Sequence, residues 1–319
     1  MNKANIFSDF IIKYKNDPVN FVRHILGQEP DPWQIELLEA TLTERLCAIK
    51  SGHGIGKSTC CAWLMLHHML CFYPQKTVCT APTASQLFDA LFAELKSQLL
   101  RLPPALQGLF EVFSERITLK SDPSGSFISA RTARQENPDS LQGIHSAHVL
   151  LICDEASSVD NAIFEAAGGS LSTPNSKLVM CGNPTRAEGY FYDAFTKLSD
   201  RYWTRTVSCE DSSRVTKEYI EEMEERYGRD SGVFSVRVLG NFAETTEDTI
   251  ISNSLVESAV TRDVDVSETA PIVWGLDIAR FGQSCYRTDQ IVGKARHNGF
   301  DRSNPCRVSK SSSRRESPC

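Results

Sequence analysis

The stretch Cys47-Ala48-Ile49-Lys50-Ser51-Gly52-His53-Gly54-Ile55-Gly56-Lys57-Ser58-Thr59-Cys60 sets three glycines and a Lys-Ser pair between an apolar strand and an apolar helical run. Few folds accommodate that order. Glycines at 52, 54 and 56 let the backbone gather several N–H groups around one anion, and the following helix aims its positive dipole end at the same point. Lys57 adds a mobile cation for β- and γ-phosphates, and Ser58 a hydroxyl ligand for Mg²⁺. Ser51 stands where the G-x-x-x-x-G-K-[ST] pattern has its first glycine. The surroundings favour a phosphate-binding loop over a plain glycine-rich turn, because residues 46–49 read as a strand and 59–70 as a helix.

A second motif follows about a hundred residues downstream. Val149-Leu150-Leu151-Ile152 reads as a buried central strand, and the doublet Asp154-Glu155 sits at its C-terminal end, where ligands bind in open α/β sheets. Asp154 is suited to hold Mg²⁺ through water. Glu155, on the other side, is suited to orient and deprotonate an attacking water. Three further segments fit the same site. Pro32-Trp33-Gln34 either contacts an adenine edge or starts a helix with a core Trp. Ala81-Pro82-Thr83-Ala84-Ser85-Gln86 reads as a loop leading to an N-cap, a place nucleic-acid motors also use against phosphates. In Gly182-Asn183-Pro184-Thr185, Asn183 is a candidate γ-phosphate sensor, with a plain turn as its competitor.

Strands and helices alternate over the first 245 residues, which predicts a largely parallel sheet covered on both faces. Strands are expected at 77–80, 117–119, 127–130, 149–153 and 178–181, and helices at 85–101 and 217–227. Eleven cysteines without a C-x-x-C pair or secretory leader read as reduced thiols. The longest apolar run is interrupted by His67 and His68 and ends at Pro74, too short to span a bilayer. His145 and His148 lack metal-site spacing. The chain has a formal charge of −6, yet residues 283–319 carry eight Lys/Arg against three Asp/Glu, so the first 282 residues hold −11. That serine-rich, basic end has the composition of a solvated, disordered tail.

Taken in order, Pro-Trp-Gln, the Gly-His-Gly-Ile-Gly-Lys-Ser loop, Thr80-Ala81-Pro82-Thr83, Ser140-Leu141-Gln142-Gly143-Ile144-His145, Cys153-Asp154-Glu155-Ala156, Cys181-Gly182-Asn183-Pro184-Thr185 and Leu276-Asp277-Ile278-Ala279-Arg280-Phe281-Gly282 resemble the large terminase subunit of tailed bacteriophages. The resemblance spans roughly residues 20–282. It implies an additional-strand, RecA-like P-loop NTPase fold with a parallel sheet flanked by helices, followed by a ribonuclease H-like nuclease, here incomplete. It implies an ATP- and Mg²⁺-dependent motor in the host bacterial cytoplasm that drives double-stranded phage DNA through a portal protein, with a small terminase subunit and a homo-oligomeric ring as partners. By the same resemblance Lys57, Ser58 and Thr59 bind nucleotide and metal, Asp154 coordinates the metal, Glu155 is catalytic, and Gly182, Asn183, Pro184 and Thr185 couple hydrolysis to movement. Arg131 or Arg134 is a candidate arginine finger toward a neighbouring subunit. A superfamily-two helicase shares several of these motifs but needs a second motor domain, for which residues after 245 have no pattern. A remnant that only occupies packaging partners is the other alternative.

The expected organisation is an ATPase at 1–245, a linker at 246–270, a first nuclease strand at 271–282 bearing Asp277 as a residual metal ligand, and an aberrant tail at 283–319. Asp277 alone does not make a two-metal site, which needs several acidic ligands roughly 3.5–4 Å across. Asp289 and Asp301 are expected to have no strand or helix to place them. A frame change after Gly282, as in a decayed prophage gene, would explain the break. Limited proteolysis should leave residues 1–245 intact while the remainder is cleaved quickly; a protected fragment extending past residue 300 would contradict this division.

Overall fold

The computed structural model describes residues 3–132, 143–242, 273–277 and 285–289, in two compact units, 1–250 and 251–319. The first unit opens with helices α1 (Lys3–Tyr14), α2 (Pro18–Phe21) and α3 (Pro32–Thr43). Pro32 begins α3 because a missing N–H costs nothing in the first turn, and the Gln34 side chain accepts the Asp31 N–H at 2.9 Å. Strand β1 (Leu46–Ser51) then runs into the glycine loop and α4 (Lys57–Cys71), and β2 (Gln75–Thr80) returns. Thr83 caps the next helical segment, its hydroxyl accepting the Gln86 N–H at 3.2 Å. That segment has a π-helical turn at Gln86–Leu91 before α5 (Phe92–Leu99), where the sequence predicts one α-helix, and it stops short of Pro103-Pro104, where α6 (Pro104–Gln107) starts.

Beyond α6 come β3 (Phe110–Val112), β4 (Arg116–Leu119), β5 (Phe127–Ala130), β6 (His148–Cys153), α7 (Asn161–Ser170), β7 (Ser176–Gly182), α8 (Gly189–Phe195), β8 (Trp203–Val207) and α9 (Lys217–Tyr227). Eight strands form one sheet in the order β3-β4-β5-β2-β6-β7-β1-β8. The run from β5 to β8 is parallel, as expected of alternating strands and helices. The β3-β4-β5 edge is an antiparallel meander, so the sheet is mixed rather than wholly parallel. Short turns at 113–115 and 120–126 allow that hairpin geometry, whereas parallel neighbours need a crossover helix.

Side chains on the central strands alternate between two cores. Cys47, Ile49, Leu150, Ile152, Val179 and Cys181 face α3, α4 and α5, while Ala48, Val149, Leu151, Leu178 and Met180 face α7 and α8. Among the described residues eight cysteines are buried free thiols, as the sequence reading holds for them. Burial pushes the thiols of Cys47, Cys71 and Cys79 up to about 12, which keeps them protonated and inert. No described helix is long and apolar enough to cross a membrane.

In the second unit, β9 (Val273–Asp277) pairs antiparallel with β10 (Cys285–Asp289), with Asp277 opposite Cys285 and Val273 opposite Asp289. This corrects the expectation that Asp289 has no strand to place it. The run Cys285-Tyr286-Arg287-Thr288 includes an aromatic and a β-branched residue that suit a strand, but it has no apolar alternation and lies in polar surroundings. Residues 243–272 and the rest of 278–319, with Asp301, lie outside the described residues.

Two histidines on α4 are buried without a charge partner. His67 donates from Nε2 to the Tyr14 carbonyl at 2.8 Å, and His68 Nδ1 meets Gln75 Oε1 and Thr77 Oγ1, each at 2.9 Å. Burial lowers His67 to about 4 and His68 to about 3. Below pH 6.5 the unfolded chain takes up protons on these rings while the folded one does not, so stability is retained above 6.5 and lost as pH falls toward those values. The loss amounts to at most about 1.4 kcal/mol per pH unit for each ring. Urea midpoints should drop between pH 7.5 and 5, and the drop should be shallower in a His67→Gln, His68→Gln variant; equal slopes would refute the assignment.

Candidate nucleotide site

The sheet order explains how two distant motifs meet. Strand β7 lies between β1, which feeds the glycine loop, and β6, which ends at the acidic doublet. The loop and the doublet therefore converge over the C-terminal end of β7. Gly54 and Gly56 take positive φ of 74° and 88°, conformations that L side chains rarely adopt, and Gly56 is the N-cap of α4. Ser58 Oγ donates to Asp154 Oδ2 at 2.8 Å, closing the gap between the loop's helix and the doublet.

Lys57 is 8% exposed. Its Nζ contacts Ser51 Oγ at 3.2 Å, the Gly52 carbonyl at 3.3 Å and Asn183 Oδ1 at 3.4 Å. Asn183 also donates from Nδ2 to the Ser51 carbonyl at 2.7 Å, so one amide ties β7 to both the lysine and the loop's first residue. The next residues tie back to the doublet's turn: Thr185 Oγ1 lies 3.2 Å from Ser157 Oγ, which also accepts the Arg186 N–H at 3.1 Å. Pro184 is buried beside them.

Asp154 is 4% exposed, and burial, reinforced by the charge of Glu155, raises its carboxyl above the usual range against the pull of Ser58 and Lys57. A buried carboxylate paired with a hydroxyl beside a phosphate loop is a donor set that suits Mg²⁺. Glu155 is the one non-glycine residue with positive φ, 50°, among the described residues. Strand alternation does not place it, because β6 ends at Cys153 and Glu155 sits in a left-handed turn, a conformation that costs about 1–2 kcal/mol. That turn fits only because Gly182 has no side chain: a Cβ there would meet Ala156 N at 3.0 Å.

The result is a cleft of about 490 Å³ lined by residues 53–59, Ala90, Glu94, Glu155 and Asn183. A smaller hollow of about 230 Å³ behind the turn, lined by Ser157, Asp160, Arg186 and Tyr190 among others, holds none of the loop residues. His53, Gly54, Ile55, Gly56, Lys57, Ser58, Thr59, Glu155 and Asn183 thus share one cleft. Trp33 does not join them: it is 2% exposed and packs in the core, as in the helix-start alternative. Gln34 is buried too, donating to the Gly56 carbonyl at 3.2 Å, so it braces the loop from behind. Arg131 follows β5 with its N–H on the Cys79 carbonyl and is not among the residues lining the cleft, and Arg134 lies outside the described residues. The side chain of Asp277 is likewise not described.

The sequence did not reveal three neighbours. Glu94 of α5 accepts from Thr59 Oγ1 at 2.9 Å; its signal was a polar i, i+4 pair with Gln98 on an otherwise apolar helix face. Arg214 lies across Gly56, where a Cβ would meet its Cδ at 2.8 Å, and reaches Gln34 Oε1 at 3.5 Å. Residues 237–240 cover the loop's base: His53 N donates to the Arg237 carbonyl at 2.8 Å, and a Cβ on Gly52 would come within 2.5 Å of the Val238 carbonyl. Nothing in local composition announces contacts between segments so far apart in the chain.

A strand inserted between loop strand and acidic strand, with a polar residue at its end and a glycine loop opposite an Asp-Glu turn, defines the additional-strand class of P-loop NTPases. The family profile for the terminase large subunit, T4-like virus type, N-terminal part, matches residues 49–258, and the chain belongs to that family. It is 25% identical over 283 residues to the probable terminase large subunit of Enterobacteria phage P7, covering 85% of this chain and 57% of that one. The chain therefore spans just over half the length of this curated relative. Among solved structures it is similar to the large terminase ATPase domain of Thermus phage P74-26, with a TM-score of 0.54 and 16% identity over 70% of this chain and 98% of that one. It is also similar to the large terminase of a thermophilic bacteriophage, with a TM-score of 0.55 and 16% identity over 68% of this chain and 54% of that one. Structures of this last protein include complexes with ADP and ATP-γ-S.

The close approach at Gly52 yields a test. Gly52→Ala should force the loop and the 237–238 backbone apart and cost about 1–3 kcal/mol, read as a lowered denaturation midpoint; a variant as stable as the parent would show that the two segments do not pack as described.

Proposed function

We propose that this chain is the ATP-hydrolysing motor part of a phage DNA-packaging machine, using ATP and Mg²⁺ to move double-stranded DNA into a capsid. The observation that carries the reading is the 2.8 Å contact between Ser58 and Asp154, with Glu155 facing the same cleft. Family membership and the nucleotide-bound relative from a thermophilic phage support it. The triphosphate would lie on the loop amides and the N-terminus of α4, and Lys57 would exchange its contacts with Ser51, Gly52 and Asn183 for phosphate oxygens. Ser58 directly and Asp154 through water would hold Mg²⁺, which when bound neutralises phosphate charge. Glu155, set by its left-handed turn, orients the attacking water and takes its proton.

Asn183 is the natural reporter of this exchange. It loses a partner when Lys57 turns to phosphate yet stays bound to the Ser51 carbonyl, and Thr185 hands the change to the Glu155 turn through Ser157. The proposed partners are double-stranded phage DNA, a portal protein, a small terminase subunit and further copies of this chain in a ring, in the host cytoplasm. The tests are nucleotide binding and turnover. Glu155→Gln should bind ATP as the parent does while turnover falls on the order of 10²–10⁴-fold, the usual worth of a positioned base. Lys57→Ala should weaken binding itself. Unchanged background hydrolysis in both variants would instead support a remnant that only occupies packaging partners.

A further inference from the structure

The cleft holds a third carboxylate that the loop and doublet do not account for. Glu94 projects from α5 beside Ser58, Thr59 and Glu155. Its Oε1 accepts from the Thr59 hydroxyl and from the Gln98 amide, both at 2.9 Å. Gln98 is itself buried and fixed, since Trp63 Nε1 donates to its Oε1 at 3.2 Å and Trp63 is fully enclosed. Two donors on one oxygen lock the carboxylate in place, and among the described residues Oε2 has no hydrogen bond or ion pair.

A neutral amide at position 94 would accept the same two hydrogen bonds, so the contacts alone do not call for a charge. A negative charge is costly where phosphates are to lie. With Asp154 and Glu155 it brings three carboxylates to the site against the one ammonium of Lys57. The Arg214 guanidinium across Gly56 is paired with Asp31 at 3.7 Å, and a divalent cation would reverse that balance.

We propose that Glu94 is a positioning residue that makes nucleotide binding in this cleft conditional on a divalent cation. The inference rests on the nucleotide reading above. Without metal, the fixed carboxylate repels the phosphate chain across a short, partly buried distance. With metal, the same charge attracts the hydrated cation toward Ser58, and Oε2 remains available to accept from its water. Because Thr59 adjoins Ser58 on α4, the Glu94 contact also holds the first turn of that helix in register with α5.

The experiment measures ADP and ATP-γ-S dissociation constants by calorimetry for the full chain, once with Mg²⁺ and once with EDTA. Glu94→Gln keeps the acceptor for Thr59 and Gln98 and removes only the charge. Its metal-free affinity should rise and the ratio of metal-free to Mg²⁺ dissociation constants should shrink roughly tenfold, the scale of one charge at short range in a partly screened site. Glu94→Ala, neutral but without the acceptor, should shrink the ratio likewise, and Glu94→Asp should retain it. A merely structural role would lower the melting temperature of the Ala variant and leave all four ratios equal; that result overturns the inference while the nucleotide reading stands. A parent chain that binds neither nucleotide with Mg²⁺ refutes the nucleotide reading instead.

Discussion

The site depends on one hydrogen bond spanning two strand spacings, from Ser58 Oγ to Asp154 Oδ2. Ser58 sits in the first turn of α4, which β1 feeds through the glycine loop, Asp154 follows β6, and β7 runs between those two strands. For the contact to form, whatever ends β7 must stay low. Gly182 does so, leaving room for the Ala156 and Ser157 amides, and Asn183 then rises into the gap with its side-chain amide on Lys57 and the Ser51 carbonyl. Lengthening β7 by a bulky residue would separate the loop from the doublet even though neither motif was touched.

Burial is the second constraint. Asp154 sits among apolar strands with little water to solvate its charge, which raises the free energy of its ionised form. Among the described residues the Ser58 hydroxyl, the Glu155 N–H and the nearby Lys57 offset that. His53 at the loop's flank is pushed toward its neutral form by burial and by Lys57 and Arg237, and so adds no firm positive charge.

The motif elements were legible in the sequence because each carries its own local signal. Alternation and apolar runs gave β1, β2, β6 and β7 to within a residue or two, and Phe127–Ala130 and Lys217–Tyr227 form as expected. Of the three loop glycines that the sequence singles out, Gly54 and Gly56 take positive φ, whereas Gly52 is required by close packing against residues 237 and 238. What escaped were elements whose reasons are tertiary. Strand β8 is half polar, with Thr204, Arg205 and Thr206 exposed on the sheet edge, so it lacks the apolar run that marks a strand. The β3 strand is three residues long. Trp33 was ambiguous because aromatic burial and purine stacking make the same demand on composition, and only packing separates them. The role of Arg214 depends on the loop across from it rather than on its neighbours in the chain.

The last described residues of the first unit pack against the base of the phosphate loop. Gly240 lies so close to Ser51 that a Cβ would sit 2.7 Å from its Cα, and two residues on Phe242 is gripped by Phe191, Tyr192 and Phe195, with the Lys50 ammonium 5.1 Å above its ring. Lys50 and Ser51 are the last residues before the glycines. The outgoing thread is thus stitched to the same two residues from which the phosphate loop springs, like a rope made fast to the hinge of a door. Any displacement of Lys50 and Ser51 therefore acts directly on Gly240 and Phe242.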